Sequence, residues 1–93
     1  MMVDLYTTRK TNVQVEALCL TAENVFELTV WCGGVSVVEH DALEHTKTFA
    51  AINVPTAFGM MRAQEDDWII KRPAGDFYPV KPGRFNFLFE LVK

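Results

Sequence analysis

The chain of 93 residues is 49% hydrophobic and 23% charged, and nine basic against twelve acidic side chains leave a formal charge of −3. With a mean hydropathy of +0.07, this composition indicates one folded domain spanning 1–93, too apolar for intrinsic disorder and too acidic for a generic nucleic-acid coat. No apolar run approaches the roughly 18 residues of a spanning helix, a secretory signal is not expected, and Cys19 and Cys32 alone predict neither a disulfide framework nor a four-thiolate zinc site.

Residues 1–10 read as a loose lead-in. From Thr11 the chain alternates, with Val13, Val15, Ala17 and Cys19 on one face and Gln14 and Glu16 on the other, which predicts a half-buried strand ending in Leu18 and Leu20. Thr21 offers an N-cap hydroxyl and Glu23 a first-turn anion, so a helix is expected from about Ala22 to Cys32, stopped by Gly33 and Gly34. On a helical wheel Trp31 projects into the polar arc of Asn24 and Glu27, covered by another part of the chain or open to a partner.

Val35–Glu39 reads as a short strand, His40–His45 as a polar loop, and Lys47–Val54 as a strand ending at Pro55, which cannot donate into a ladder. Gly59 interrupts the chain before Met60–Ala63. Residues 67–80 are the clearest hairpin, with Pro73-Ala74-Gly75-Asp76 at the reversal between Trp68-Ile69-Ile70-Lys71-Arg72 and Phe77-Tyr78-Pro79-Val80. Beyond Pro82-Gly83, the alternation of Phe85, Phe87, Phe89 and Leu91 predicts a closing strand with an aromatic inner face. The expected fold class is α+β: one short helix packed on a small, strongly curved, mainly antiparallel sheet.

The hairpin also carries a resemblance. Asp67-Trp68-Ile69-Ile70-Lys71, then Gly75-Asp76-Phe77-Tyr78-Pro79, then Lys81-Pro82 and Phe85 resemble the C-terminal motif of a family of small uncharacterised bacteriophage proteins. Val15-Glu16-Ala17, Thr21, Asn24 and Trp31-Cys32-Gly33-Gly34 match the strand–helix opening of that family. Asp66 and Arg72 stand where the family has glycine, Val80 replaces a cysteine, and Gly83-Arg84 replaces Asp-Ile. The resemblance implies a phage gene and a compact fold, and it brings no activity with it.

Candidate chemistry is sparse. Glu39, His40, Asp41, Glu44 and His45 form the densest polar cluster, yet their spacing matches no metal signature, so a solvated loop and no metal are expected. Cys32 near these histidines lacks a positioned base and an oxyanion pocket, so no catalytic residue, no small-molecule substrate and no cofactor are assigned. Residues 1–67 carry four basic and ten acidic side chains, whereas 68–93 carry five basic and two acidic, a segregation that suits docking onto a partner or self-association.

The function expected is therefore that of a non-enzymatic phage accessory protein of the host cytoplasm. It would bind a host or phage protein, or itself as a homo-oligomer, through Trp31, Phe58, Met60, Met61 and Trp68. One alternative is a nucleic-acid-binding module using Lys71, Arg72, Lys81 and Arg84 among the hairpin aromatics. Another is a minor structural component of the virion. No membrane partner is expected.

Overall fold

A computed structural model describes residues 3–40 and 48–92. Its elements, in chain order, are β1 (Asp4–Thr8), β2 (Gln14–Cys19), α1 (Val25–Cys32), β3 (Val35–His40) and β4 (Thr48–Thr56), followed by β5 (Gly59–Gln64), β6 (Trp68–Lys71), β7 (Phe77–Val80), α2 (Pro82–Leu88) and β8 (Phe89–Leu91). The described strands form a five-stranded sheet of order β7-β6-β2-β1-β8 and a three-stranded sheet of order β3-β4-β5. Every pairing is antiparallel. The fold class is α+β, with two sheets in place of one curved sheet and two helices in place of one.

The larger sheet is covered on both faces, and strand periodicity sorts its side chains between two cores. Ile69 and Ile70 are neighbours in β6 and both fully buried, but they point to opposite sides. Ile69 joins Leu20, α1 residues Val25, Leu28 and Cys32, and Ile52, Val54 and Ala63 of the smaller sheet. Ile70 joins Val15, Ala17, Val80, Phe85 and Phe89, with Tyr6, Trp68 and Tyr78 packed against them. One core thus binds α1 and the smaller sheet, and the other is built around α2.

Three local expectations are corrected. Within the stretch 1–10 read as a loose lead-in, Asp4–Thr8 is a strand that pairs with β2 on one side and with β8 on the other. The shared ladder leaves Tyr6 beside Val15 and Leu91, where its ring meets Phe85 edge-on at 5.0 Å. The strand expected to stop before Pro55 runs through it to Thr56, where Pro55 faces Met60 near the hairpin tip. Residues Pro82–Leu88 form a helix, not a strand. Proline near its N-terminus gives up a donor that would have no intrahelical partner, and Phe85 and Phe89 then fall four residues apart on one face. Phe87, which alternation would bury, is 79% exposed.

Helix α1 starts three residues later than its sequence signals suggest. The Thr21 hydroxyl accepts from the Asn24 amide at 3.2 Å, while Asn24 Oδ1 accepts from the Thr21 amide at 2.8 Å. This reciprocal pair closes a turn before the helix, whose N-cap is Asn24. Gly33 ends the helix in a left-handed conformation (φ +68°), as expected from the double glycine. The polar cluster around His40 and His45 lies largely outside the described residues, and no group of three or more metal-ligating side chains occurs among the described ones.

Asp67 is the one buried charged side chain among the described residues, and it ties the sheets together. Its Oδ2 accepts from the Gln64 amide at 2.8 Å and from Lys81 Nζ at 3.0 Å, while its carbonyl accepts from the Leu20 amide at 2.8 Å. One residue thereby joins the end of β5, the chain after β2 and the chain after β7. Removing the carboxylate leaves the Gln64 N–H without its acceptor, so Asp67→Ala is expected to cost about 1–3 kcal/mol. Urea titration measures that loss, and Asp67→Asn, which keeps an acceptor, should recover part of it.

Candidate functional site

The β4–β5 hairpin closes through a two-residue loop, Ala57-Phe58, held by one hydroxyl. Thr56 Oγ1 donates to the Gly59 carbonyl at 2.6 Å and accepts from the Phe58 amide at 3.1 Å. Phe58 at this tip is 94% exposed. Alternation along β5 then separates the two methionines. Met61 shares its side with buried Ala63 and faces the larger sheet, while Met60 lies on the outer side.

This hairpin tip stands against the β6–β7 hairpin and encloses an open cleft of about 250 Å³. Phe58, Met61, Phe77 and Tyr78 give it apolar walls, and Thr56, Ala57, Arg72 and Asp76 complete its lining. The β6–β7 turn is well tied. The Arg72 amide donates to the Asp76 carbonyl at 2.9 Å, and the Gly75 amide donates to the Arg72 carbonyl at 2.8 Å. Arg72 Nε donates to Asp76 Oδ2 at 2.7 Å, and its Nη2 reaches the same oxygen. The guanidinium holds the Asp76 carboxyl below the usual carboxylate range and also lies over the Tyr78 ring.

Of the residues proposed from sequence for partner binding, Phe58 and Met61 line this cleft and Met60 flanks it. Trp31 stands behind its wall, meeting Phe77 edge-on at 5.0 Å, and so supports the cleft without lining it. Trp68 is elsewhere. Its indole stacks on Phe85 at 3.9 Å in the second core. Sequence reading missed Asp76, whose only signal was its place four residues after Arg72 across a Pro-Ala-Gly turn, and it placed Phe77 and Tyr78 with the nucleic-acid reading alone. It also missed the outer side of α1, where Phe26 and Val30 are exposed.

The basic residues proposed for nucleic acid are mostly engaged. Lys71 pairs with Glu16 at 3.7 Å, Arg72 with Asp76, and Lys81 with Asp67. Arg84 has no charged partner among the described residues. A polyanion would compete with three carboxylates, and the Trp68 face that could stack a base is occupied by Phe85. A second, wider depression of about 490 Å³ is lined by Gln14, Glu16, Lys71 and Arg72, with Leu5, Val15 and Pro73.

Both thiols are shielded. Burial is the first cause of the rise in the Cys19 and Cys32 pKa values, as it is for Tyr6 and Tyr78. The direction is opposite to that of an activated thiolate. It also carries a linkage consequence, because the unfolded chain releases these four protons at lower pH than the folded one. Stability is unaffected by them below the ordinary thiol range and falls as pH rises past about 8.5. The urea midpoint is expected to decline between neutral pH and pH ~10.5, and a midpoint that stays level would contradict the burial of these groups.

No family model matches the chain, and no curated protein or solved structure matches it either. None of the described helices is long and apolar enough to cross a membrane. The reading of the site therefore rests on its geometry.

Proposed function

We propose that this chain is a non-enzymatic binding protein that docks another protein on the tip of the β4–β5 hairpin and the cleft beside it. Following the resemblance of its C-terminal hairpin, we assign it to bacteriophage accessory proteins acting in the host cytoplasm or on the virion. The observation that carries the binding reading is Phe58, 94% exposed on a turn held by its neighbours. A phenyl ring exposed to water is unfavourable for the isolated chain and favourable once a partner covers it. Met60 and Met61 beside it supply an adaptable apolar surround.

The test compares tagged wild-type chain with a Phe58→Ala, Met61→Ala double variant in pull-downs from infected host lysate, with and without nuclease. A stoichiometric protein retained after nuclease and lost with the double variant supports the reading. Retention by both chains would place binding elsewhere, and loss of all co-purifying material after nuclease would favour Lys71, Arg72, Lys81 and Arg84 and a nucleic acid.

A further inference from the structure

The outer sides of the two helices are both apolar, and they carry opposite charge. On α1, Phe26 and Val30 lie one turn apart and are 69% and 84% exposed. Exposed Glu27 stands beside them on the helix, and exposed Glu23 lies in the turn just before it. On α2, exposed Phe87 lies one turn from exposed Arg84. Arg9 also reaches this side, donating to the Asn86 carbonyl at 3.4 Å, but it is paired with Glu90, so Arg84 sets the sign.

None of Glu23, Glu27 and Arg84 has an ion-pair partner among the described residues. Residues 11–46 contain no lysine or arginine, and α1 has no basic residue in its last turn to offset its negative end. An apolar acidic surface is complementary to an apolar basic one, and this chain carries both. Helix α1 packs into the first core and α2 into the second, on opposite sides of the larger sheet, so one chain cannot join its own two faces. We infer that the α1 face of one copy covers the α2 face of the next, with Phe87 on Phe26 and Val30 and Arg84 beside Glu23 and Glu27. The same charges disfavour a two-fold pairing, which would set α1 carboxylates against α1 carboxylates or Arg84 against Arg84. The contact is therefore head to tail, and association continues into a row or closes into a ring. This goes beyond the docking reading, since neither helix lines the cleft.

Sedimentation equilibrium of the full chain between about 10 µM and 1 mM, the range of a small interface, tests the inference. At the upper end the wild-type average mass should pass twice the monomer value of 10.6 kDa. A Glu23→Lys, Glu27→Lys double variant and an Arg84→Glu variant should each associate about 10-fold more weakly, because both faces of each then carry one sign. An equimolar mixture of the two should regain association, since every face then meets its opposite. Phe26→Asp and Phe87→Asp should each weaken self-association by about 30-fold or more, as for an anchor residue. Mixed together, these two should form a one-to-one complex and grow no further, because each supplies a single intact face. All these positions are exposed, and unchanged circular dichroism spectra and melting temperatures confirm that the variants fold.

A wild-type chain that stays monomeric, or that stops at a dimer, overturns the inference. So do charge variants that fail to recover on mixing, or a phenylalanine-variant mixture that forms no one-to-one complex. If the chain is monomeric yet a synthetic lysine–leucine helix binds it and not the Glu23→Lys, Glu27→Lys variant, α1 accepts a foreign cationic helix and the second copy is not its occupant. The docking reading falls separately, through the Phe58→Ala, Met61→Ala pull-down.

Discussion

Phe85→Ala is expected to destabilise the protein by about 3–5 kcal/mol, the cost of emptying a buried aromatic site. The ring is 2% exposed and is enclosed by Trp68 at 3.9 Å, Tyr6 at 5.0 Å and Phe89 at 5.1 Å. These neighbours come from β6, β1 and β8, so the cavity could collapse only if the sheet moved. For a domain of this size the loss is a large fraction of the total stability of about 5–15 kcal/mol and should lower the melting temperature by more than about 10 °C. Phe87→Ala is the comparison that gives the experiment its edge. Phe87 is 79% exposed, and its truncation should change stability by no more than about 0.5 kcal/mol. In a strand the two rings would share a face and both truncations would be costly, so equal losses in the urea midpoint would sink the α2 assignment.

The second large effect concerns a residue with no side chain. Gly34 follows the glycine that ends α1 and lies where the chain enters β3 against β4. A Cβ there would stand 2.6 Å from the Asn53 carbonyl oxygen and 2.8 Å from Ile52 Cγ2. The first obstacle is backbone inside the β3–β4 ladder and the second a fully buried side chain, so neither can withdraw without moving the first core. Gly34→Ala should therefore cost about 3 kcal/mol, the upper end of overpacking penalties. Gly33→Ala serves as the contrast: no atom lies within 4 Å of its Cβ, and the strain comes from φ +68° alone, for about 1 kcal/mol. Denaturation midpoints for the two variants separate close approach from backbone conformation at adjacent positions. A Gly34 variant as stable as the wild type would mean that α1 and β4 pack less closely than described.

These residues also show what the amino-acid order makes legible. The β6–β7 hairpin and the end of α1 were readable because Pro73, Gly75 and the Gly33-Gly34 pair act locally, through dihedral preferences that need no knowledge of the rest of the fold. The segment after Pro82 misled because Phe85 and Phe89 fit a helical repeat as well as an alternating one. The choice is made by Trp68 and Tyr6, which arrive from distant parts of the chain. Strand β1 was hidden for a similar reason, since its short stretch owes its structure to two partners that the local sequence does not announce. At the candidate site, exposed Phe58 and Met61 were accessible to sequence reasoning as apolar residues near a turn. The cleft was not, because its opposite wall is built by residues 72–78, brought across by sheet-to-sheet packing.

The pairing of β1 with β8 has a consequence for how the protein comes into being. Arg9 and Glu90, joined at 3.1 Å across this seam, are 81 residues apart, and the Val92 amide bonds to the Leu5 carbonyl at 3.0 Å. On a ribosome β1 emerges well before β8 and has β2 to pair with at once, but its other edge stays open until residues 89–91 have been made. The second core is in the same position, since Phe85 and Phe89 follow every strand they hold together. Closing so long a loop is slow compared with forming a hairpin. The larger sheet should therefore close late, leaving β1 briefly available as an unpaired edge.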